Sequence, residues 1–192
     1  GLNAVVQLNN EKVEDVVLLT EGMNLGTSRN TGSDKQTYYK LTLSGEQPDS
    51  VYQMAEDLFK GKAVDGDIAL CEASLSAKCF LNLAILGLPF PQNRYGEYIG
   101  YKTDHDPHYR ATSAGPYTSK FMSEVLEKEV RKTNTTILDG YQVVKLLVKD
   151  KSIKGLIALE RKSNELIIIL TNNVVLATGG PASIYEMSVY PR

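Results

Sequence analysis

Hydrophobic residues follow a helical spacing in four parts of the chain. They predict a helix over residues 2–8, a second from a cap at Asp49 and Ser50 through Phe59, a third from Asp67 to about residue 86, and a fourth over about 118–132. Gly87 and Pro89 follow the third helix directly and would end it. The stretch between residues 91 and 111 has no such spacing and is predicted to be irregular.

Short runs of aliphatic and β-branched residues predict strands at the start of the chain and in its last third. Residues 16–21 are predicted to form a buried strand that ends at Glu21, and residues 173–180 a buried strand that leads into a glycine turn. Runs at 142–148, 154–160 and 166–170 are joined by short polar connections, which predicts an antiparallel three-stranded meander. Helices and strands together indicate an α/β or α+β domain.

Composition narrows the class of protein. The 192 residues are 42% hydrophobic and 23% charged, which is enough apolar material for a core. A net charge of −2 argues against a nucleic-acid partner. The longest uninterrupted apolar run, around residues 166–170, is far shorter than the roughly 20 residues of a membrane span. We therefore expect a cytoplasmic protein without a transmembrane segment.

Both ends of the sequence are abrupt. Gly1 leads directly into a helical pattern without an initiating Met, and Arg192 follows a glycine turn without a closing element. We therefore expect the chain to be a fragment of a longer protein.

The first candidate for chemistry is the pair formed by Gly1 and Glu21. A glycine that opens a helix, followed about 20 residues later by a strand ending in a carboxylate, is half of a dinucleotide-binding βαβ unit. The helix N-terminus attracts a pyrophosphate, and the carboxylate accepts hydrogen bonds from a ribose hydroxyl. The alternative is an ordinary helix–strand pair whose last residue is an exposed glutamate.

Two segments rich in glycine and hydroxyl residues are further candidates. Residues 26–33 offer backbone N–H groups and hydroxyl donors to an anion, and residues 177–180 allow a flat ligand to approach the backbone. A solvated loop and a tight turn are the respective alternatives.

Other reactive side chains give weaker signals. Residues 104–108 contain two histidines and two aspartates, but their spacing does not suit helical metal ligation, and Pro107 favours a turn. We expect an exposed acidic loop and no metal site, with a substrate-facing role for His105 or Arg110 left open. Cys71 and Cys79 have no neighbouring base in the sequence and are expected to be buried thiols.

Three sequence motifs carry a resemblance to a known family. They are Leu-Ala-Thr-Gly-Gly-x-x-x-x-Tyr at residues 176–185, Gly-Leu-Pro-Phe at 87–90, and a helix start at 115–122. Together with the order of predicted elements, they make nearly the whole chain similar to the flavoprotein subunits of succinate dehydrogenase and fumarate reductase. L-aspartate oxidase and related FAD-dependent oxidoreductases belong to the same family.

The resemblance implies a Rossmann-like FAD-binding domain fragment with a central parallel sheet, a helical insertion and the meander. Residues 1–48 would be the helix, strand and loop of the dinucleotide fold, 49–136 the helical segment, and 137–192 the meander and final turn. Glu21 would hold the adenosine ribose, the loop at 28–33 would wrap the pyrophosphate and flavin, and the backbone near Val143 would contact adenine. The full set of implied FAD-binding residues is Gly1, Glu21, Gly22, Ser28, Arg29, Thr31, Gly32, Ser33, Val143, Ala177, Thr178 and Gly179.

The resemblance also has departures and open alternatives. The glycine-rich lead-in is missing, Ser33 stands where the family has a second glycine, and the loop has no histidine for a covalent flavin bond. Catalytic residues would lie beyond Arg192. The intact protein would transfer hydride at a carbon–carbon bond of a small carboxylate or carbonyl substrate, whereas the fragment alone would be inactive and prone to self-association. Alternatives are a non-catalytic domain for assembly or binding, a nicotinamide-dependent enzyme, and an unrelated α/β binding domain.

Overall fold

The computed structural model describes residues 1–104, 106–180 and 185–187. Within these ranges the helices are α1 (Leu2–Asn10), α2 (Thr27–Asn30), α3 (Val51–Lys60), α4 (Gly66–Ile85) and α5 (Thr118–Val130). The strands are β1 (Val17–Thr20), β2 (Tyr38–Tyr39), β3 (Ala111–Thr112), β4 (Thr136–Asp139), β5 (Tyr141–Lys149), β6 (Ser152–Glu160) and β7 (Leu166–Leu170). The predicted α/β class, with a parallel sheet and an antiparallel three-stranded sheet, is confirmed.

The chain forms two compact units. The first contains Gly1–Asn30 and Glu127–Arg192, and the second contains Thr31–Leu126. The predicted division of one domain into segments 1–48, 49–136 and 137–192 stays a prediction.

The described part of the first unit holds two sheets. β1 and β4 are parallel and pair from Val17 with Thr136 to Thr20 with Asp139. β5, β6 and β7 form the predicted antiparallel meander. Asp150 and Lys151 join β5 to β6 with positive φ angles of 51° and 58°, the conformation of a tight hairpin turn whose twist matches the strands.

The second unit is organised by α3 and α4. Ser50 caps α3 by accepting a hydrogen bond from the Gln53 backbone, as the sequence predicts. Helix α4 begins at Gly66, one residue before the predicted start, and Asp65 is its N-cap. Buried positions on α4 recur every three or four residues, so one face of this helix packs inward: Ala69, Ala73, Ser76, Phe80 and Leu83.

By length and composition, α4 is apolar enough to cross a membrane. A core helix of a soluble protein has the same properties, and α4 buries a face that includes Ala69, Ala73 and Phe80. The expectation of a chain without a transmembrane segment stays a prediction.

The strand predicted at residues 173–180 is wrong. These residues form no strand, and Val175 and Leu176 are each 65% exposed. A strand needs a hydrogen-bonded neighbour, and none of the described strands pairs with this segment. β1 is also less buried than predicted, because β4 is its single described neighbour and Val17 remains exposed.

Candidate functional site

The carboxyl ends of β1 and β4 meet at one edge of the parallel sheet. The Gly140 N–H, directly after β4, donates to the Thr20 carbonyl at 2.9 Å. The Met23 N–H, shortly after β1, donates to Asp139 Oδ1 at 3.1 Å. Ligands of open parallel sheets bind outside the carboxyl ends of the strands, so this edge is the candidate site.

Glu21 is the first residue after β1 and is exposed at this edge. Its Oε2 lies 3.2 Å from Nη1 of Arg161, which follows β6, and both side chains are about half exposed. The structure records no hydrogen bond to the other oxygen, Oε1, from the part of the chain that it describes. That oxygen is therefore available to accept a hydrogen bond from a ligand.

Helix α1 begins close to the last described segment of the chain. Gly1 occupies the N-cap position without a side-chain hydrogen bond to the first turn, which leaves backbone N–H groups for an anion. A Cβ added at Gly1 would lie 3.4 Å from Cβ of Ala177, so the two backbones pass near each other. Among the predicted residues, the structure thus brings Gly1 and Ala177 together.

The segment after Glu21 contains one short helix, α2, where a loop is predicted. Ser28 is exposed, whereas Arg29 forms an ion pair with Glu127 in which each side chain is only 14% exposed. Gly22 is half-buried and accepts a hydrogen bond from the Thr20 hydroxyl. The guanidinium of Arg29 is therefore already paired with a carboxylate of the protein.

Thr31, Gly32 and Ser33 belong to the second unit and are described with it. The Ser33 N–H donates to the Pro116 carbonyl at 2.9 Å. A Cβ at Gly32 would lie 2.8 Å from the ring of Tyr117, so this position tolerates a side chain only if the ring moves. The close approach gives Gly32 a packing role within its own unit.

Val143, Thr178 and Gly179 complete the predicted set. Val143 lies on β5 opposite Ala158, is 41% exposed, and precedes a bulge in the strand pairing. Thr178 and Gly179 are exposed, and Gly179 has a φ of 77°, in the left-handed region that favours glycine. The role of these three residues in FAD binding stays a prediction.

The predicted exposed acidic loop at residues 104–108 is correct for Asp104 and Pro107, which are exposed, but wrong for Asp106, which is buried. Arg110 is fully buried, and its Nη1 lies 2.8 Å from Asp57 Oδ2 and 3.5 Å from Asp106 Oδ1. Asp106 is buried as well, because it faces this guanidinium. Arg110 therefore stabilises the second unit and does not face solvent, whereas His105 lies outside the described residues.

Charge and burial shift the pKa values of two further residues that Arg110 contacts, Asp49 and Tyr39. Burial alone would raise the pKa of Asp49, but hydrogen bonds from Arg110 and from the Thr42 backbone outweigh it and lower the pKa to about 2. Burial raises the pKa of Tyr39 to about 12, and the Asp106 carboxylate adds to this effect.

The expectation of buried thiols is wrong. Cys71 is exposed and Cys79 is half-buried. Both lie off the buried face of α4 and line an apolar groove of about 500 Å³, together with Leu75 and Met54. Helical periodicity explains the difference, because Ala69 and Ala73 point inward and Cys71 lies midway between them in sequence.

Residues 1–191 match the family described as FAD binding domain. Comparison with curated protein sequences gives no match.

Solved structures with the same fold come from several flavoproteins. The FrdA chain of Escherichia coli quinol fumarate reductase is 20% identical with a TM-score of 0.81, and the match covers 96% of this chain and 31% of that one. Mycobacterium smegmatis Sdh1 is 15% identical with a TM-score of 0.85, covering 97% and 33%. The 3-ketosteroid dehydrogenase of Rhodococcus jostii is 14% identical with a TM-score of 0.67, covering 90% and 42%.

The chain spans about a third of the length of the fumarate reductase and Sdh1 structures that it matches. Glu21, at the carboxyl end of a parallel strand, and the uncapped start of α1 agree with the family assignment. The chain belongs to the FAD binding domain family, and its cofactor is FAD.

Proposed function

We propose that this chain is the FAD-binding part of a flavoprotein oxidoreductase of the fumarate reductase and succinate dehydrogenase type. The intact protein would transfer hydride to or from a carbon–carbon bond of a small carboxylate or carbonyl substrate. The family match over residues 1–191 supports the flavoprotein assignment. Glu21 Oε1, which faces no described protein donor at the carboxyl edge of the parallel strands, is the observation that carries the proposal.

The residues of the first unit fit FAD in two places. Glu21 would accept hydrogen bonds from the adenosine ribose, because its Oε1 has no partner among the described residues. The first turn of α1 would bind the pyrophosphate, because Gly1 supplies no side-chain cap and its backbone passes close to Ala177. Contacts of Ser28 and Val143, which also belong to the first unit, with FAD are part of the same proposal.

Bound FAD supplies hydride transfer between its isoalloxazine ring and a substrate carbon. The described residues of this chain bind FAD and orient it. Glu21 fixes the adenosine end, the α1 N-terminus offsets phosphate charge, and the pair formed by Arg29 and Glu127 fixes α2 against the end of α5. Residues that activate the substrate carbon or move a proton are proposed to lie beyond Arg192, and the protein is proposed to be cytoplasmic.

The test begins with the full-length protein that contains this chain. Its cofactor is released by denaturation and identified by chromatography, and the protein is then assayed with a reduced viologen dye and fumarate as a model dicarboxylate. The proposal predicts FAD at one equivalent per chain and oxidation of the dye. Protein that neither retains nor binds FAD would favour a non-catalytic domain for assembly or binding, and a bound nicotinamide cofactor would favour the dehydrogenase alternative.

A further inference from the structure

Arg161 connects the meander to the edge of the parallel sheet. Its backbone N–H donates to the carbonyl of Gly140, directly after β4, at 2.9 Å. Its side chain extends to Glu21, directly after β1, where Nη1 lies 3.2 Å from Oε2. Arg161 is therefore held at its backbone beside one parallel strand while its guanidinium reaches the end of the other.

The turn that carries Arg161 is closed by its own hydrogen bonds. The Glu160 N–H donates to the Glu165 carbonyl at 2.9 Å, and the Asn164 N–H donates to the Glu160 carbonyl at 2.9 Å. The Ser163 hydroxyl donates to Glu160 Oε2 at 2.7 Å. A turn restrained in this way limits the positions that the Arg161 side chain can reach.

The contact with Glu21 is asymmetric, since it uses Oε2 and leaves Oε1 without a described partner. A glutamate side chain has three rotatable bonds, and fixing them on ligand binding costs conformational entropy. An ion pair that already restrains the carboxylate reduces this cost. Arg161 also carries further N–H donors on a guanidinium that is half exposed.

We propose that Arg161 is a positioning residue for the adenosine ribose, because it holds Oε2 of Glu21 and thereby presents Oε1 to the ribose hydroxyls. This inference rests on the proposed function, since it requires FAD at Glu21. Exposed ion pairs contribute modestly, so loss of Arg161 should weaken FAD binding about two- to fivefold.

FAD titration of the flavin-stripped full-length protein tests this role. Arg161→Ala should raise the dissociation constant by about two- to fivefold, and Arg161→Lys should restore part of the loss. Lys162→Ala is the matched control, because Lys162 is a neighbouring exposed cation in the same turn. Its affinity for FAD should equal that of the wild type.

A double-mutant cycle separates positioning from a general effect on structure. In a Glu21→Gln background, Arg161→Ala should have no further effect on FAD affinity, because the carboxylate it orients is gone. Unchanged or tighter FAD binding by Arg161→Ala, or an equal loss in both backgrounds, would overturn the positioning role while leaving the proposed function in place. Failure of the wild-type protein to bind FAD would overturn both.

Discussion

Asp49 binds Arg110 through both of its carboxylate oxygens. Arg110 Nε donates to Oδ2 at 2.9 Å and Nη2 donates to Oδ1 at 2.7 Å. The Arg110 side chain is fully buried and that of Asp49 is 2% exposed. Because Asp49 precedes α3 and Arg110 precedes β3, this bidentate pair ties the irregular segment before β3 to the start of α3.

Asp49→Asn should destabilise the second unit strongly. The substitution leaves the Arg110 guanidinium buried with one fewer negative partner, and breaking a buried ion pair in this way costs about 3–5 kcal/mol. Urea denaturation of the wild type and the variant measures the loss. Glu56→Gln is the control, since Glu56 pairs with Lys60 at 3.7 Å on the surface and its loss should cost at most about 1 kcal/mol. Equal losses for both variants would contradict the structural role of Arg110.

Acid should weaken the second unit as Asp49 titrates. Its pKa is about 2 in the folded state, below the ordinary 3.8, so the unfolded chain binds the proton first as the pH falls. The stabilisation is present above about pH 4 and lost as the pH falls to about 2, with a contribution of about 2 kcal/mol. Stability measured across this window should fall less steeply for Asp49→Asn than for the wild type. Identical slopes would contradict the prediction.

Alkaline conditions should instead raise the stability of the second unit, through Lys40. The Lys40 side chain is fully buried. Its Nζ donates to the Leu41 carbonyl at 3.3 Å and lies 4.9 Å from the centre of the Phe80 ring. Burial lowers the pKa of Lys40 to about 8, only partly offset by the negative charge of Asp49. Between about pH 8 and 10.5 the unfolded chain therefore binds more protons than the folded chain, and stability should rise with pH.

The titration of Lys40 should change the free energy of unfolding by at most about 3 kcal/mol. Comparison of the wild type with Lys40→Met between pH 8 and 10 measures this change. The window stops at pH 10 because burial raises the pKa values of Tyr38 and Tyr39 to about 12. Their unfolded forms lose protons first, which lowers stability as the pH rises further. A Lys40→Met variant whose stability follows the same pH dependence as the wild type would contradict the assignment.

The isolated 192-residue chain should self-associate. Among the described strands, β1 pairs with β4 alone, which leaves its other edge open. The apolar side chains of Leu166, Ile168 and Leu170 are exposed on one face of β7. Sedimentation at micromolar concentrations should show dimers or larger species, and Ile168→Lys should reduce them. A monodisperse monomer with a cooperative melt would contradict this prediction.

The sequence predicts those parts of the fold whose causes are local. Ser50 caps α3 because its side chain sits at the right distance from the Gln53 backbone, and this signal can be recognised within four residues. The meander follows from short polar turns between apolar runs, and Asp150 and Lys151 adopt the backbone conformation that such a turn requires.

Elements that depend on distant partners could not be predicted in the same way. β4 is four residues long with a polar residue at each end, and it is a strand because it pairs with β1. Residues 173–180 carry a strong apolar pattern but have no described strand beside them, so the prediction failed there. Pairing across the chain, and not local preference, decides both cases.

The candidate site also combines a feature that can be predicted locally with contacts that depend on distant residues. The place of Glu21 at a strand end follows from the sequence, whereas its contact with Arg161 joins residues 140 positions apart. The burial of Arg110 against Asp49 and Asp57 likewise joins residues 61 and 53 positions apart. In the sequence, Arg161 is only a basic residue in one of the short polar connections of the meander, and this position identifies no partner.

FAD affinity of the Glu21→Gln variant of the full-length protein tests the central claim most directly. Glu14→Gln is the matched control, because Glu14 is an exposed glutamate before β1. Loss of a charged acceptor for the ribose hydroxyls should raise the dissociation constant at least about tenfold for Glu21→Gln and leave it unchanged for Glu14→Gln. Equal FAD affinity in the two variants would contradict the assignment of Glu21 as the ribose ligand.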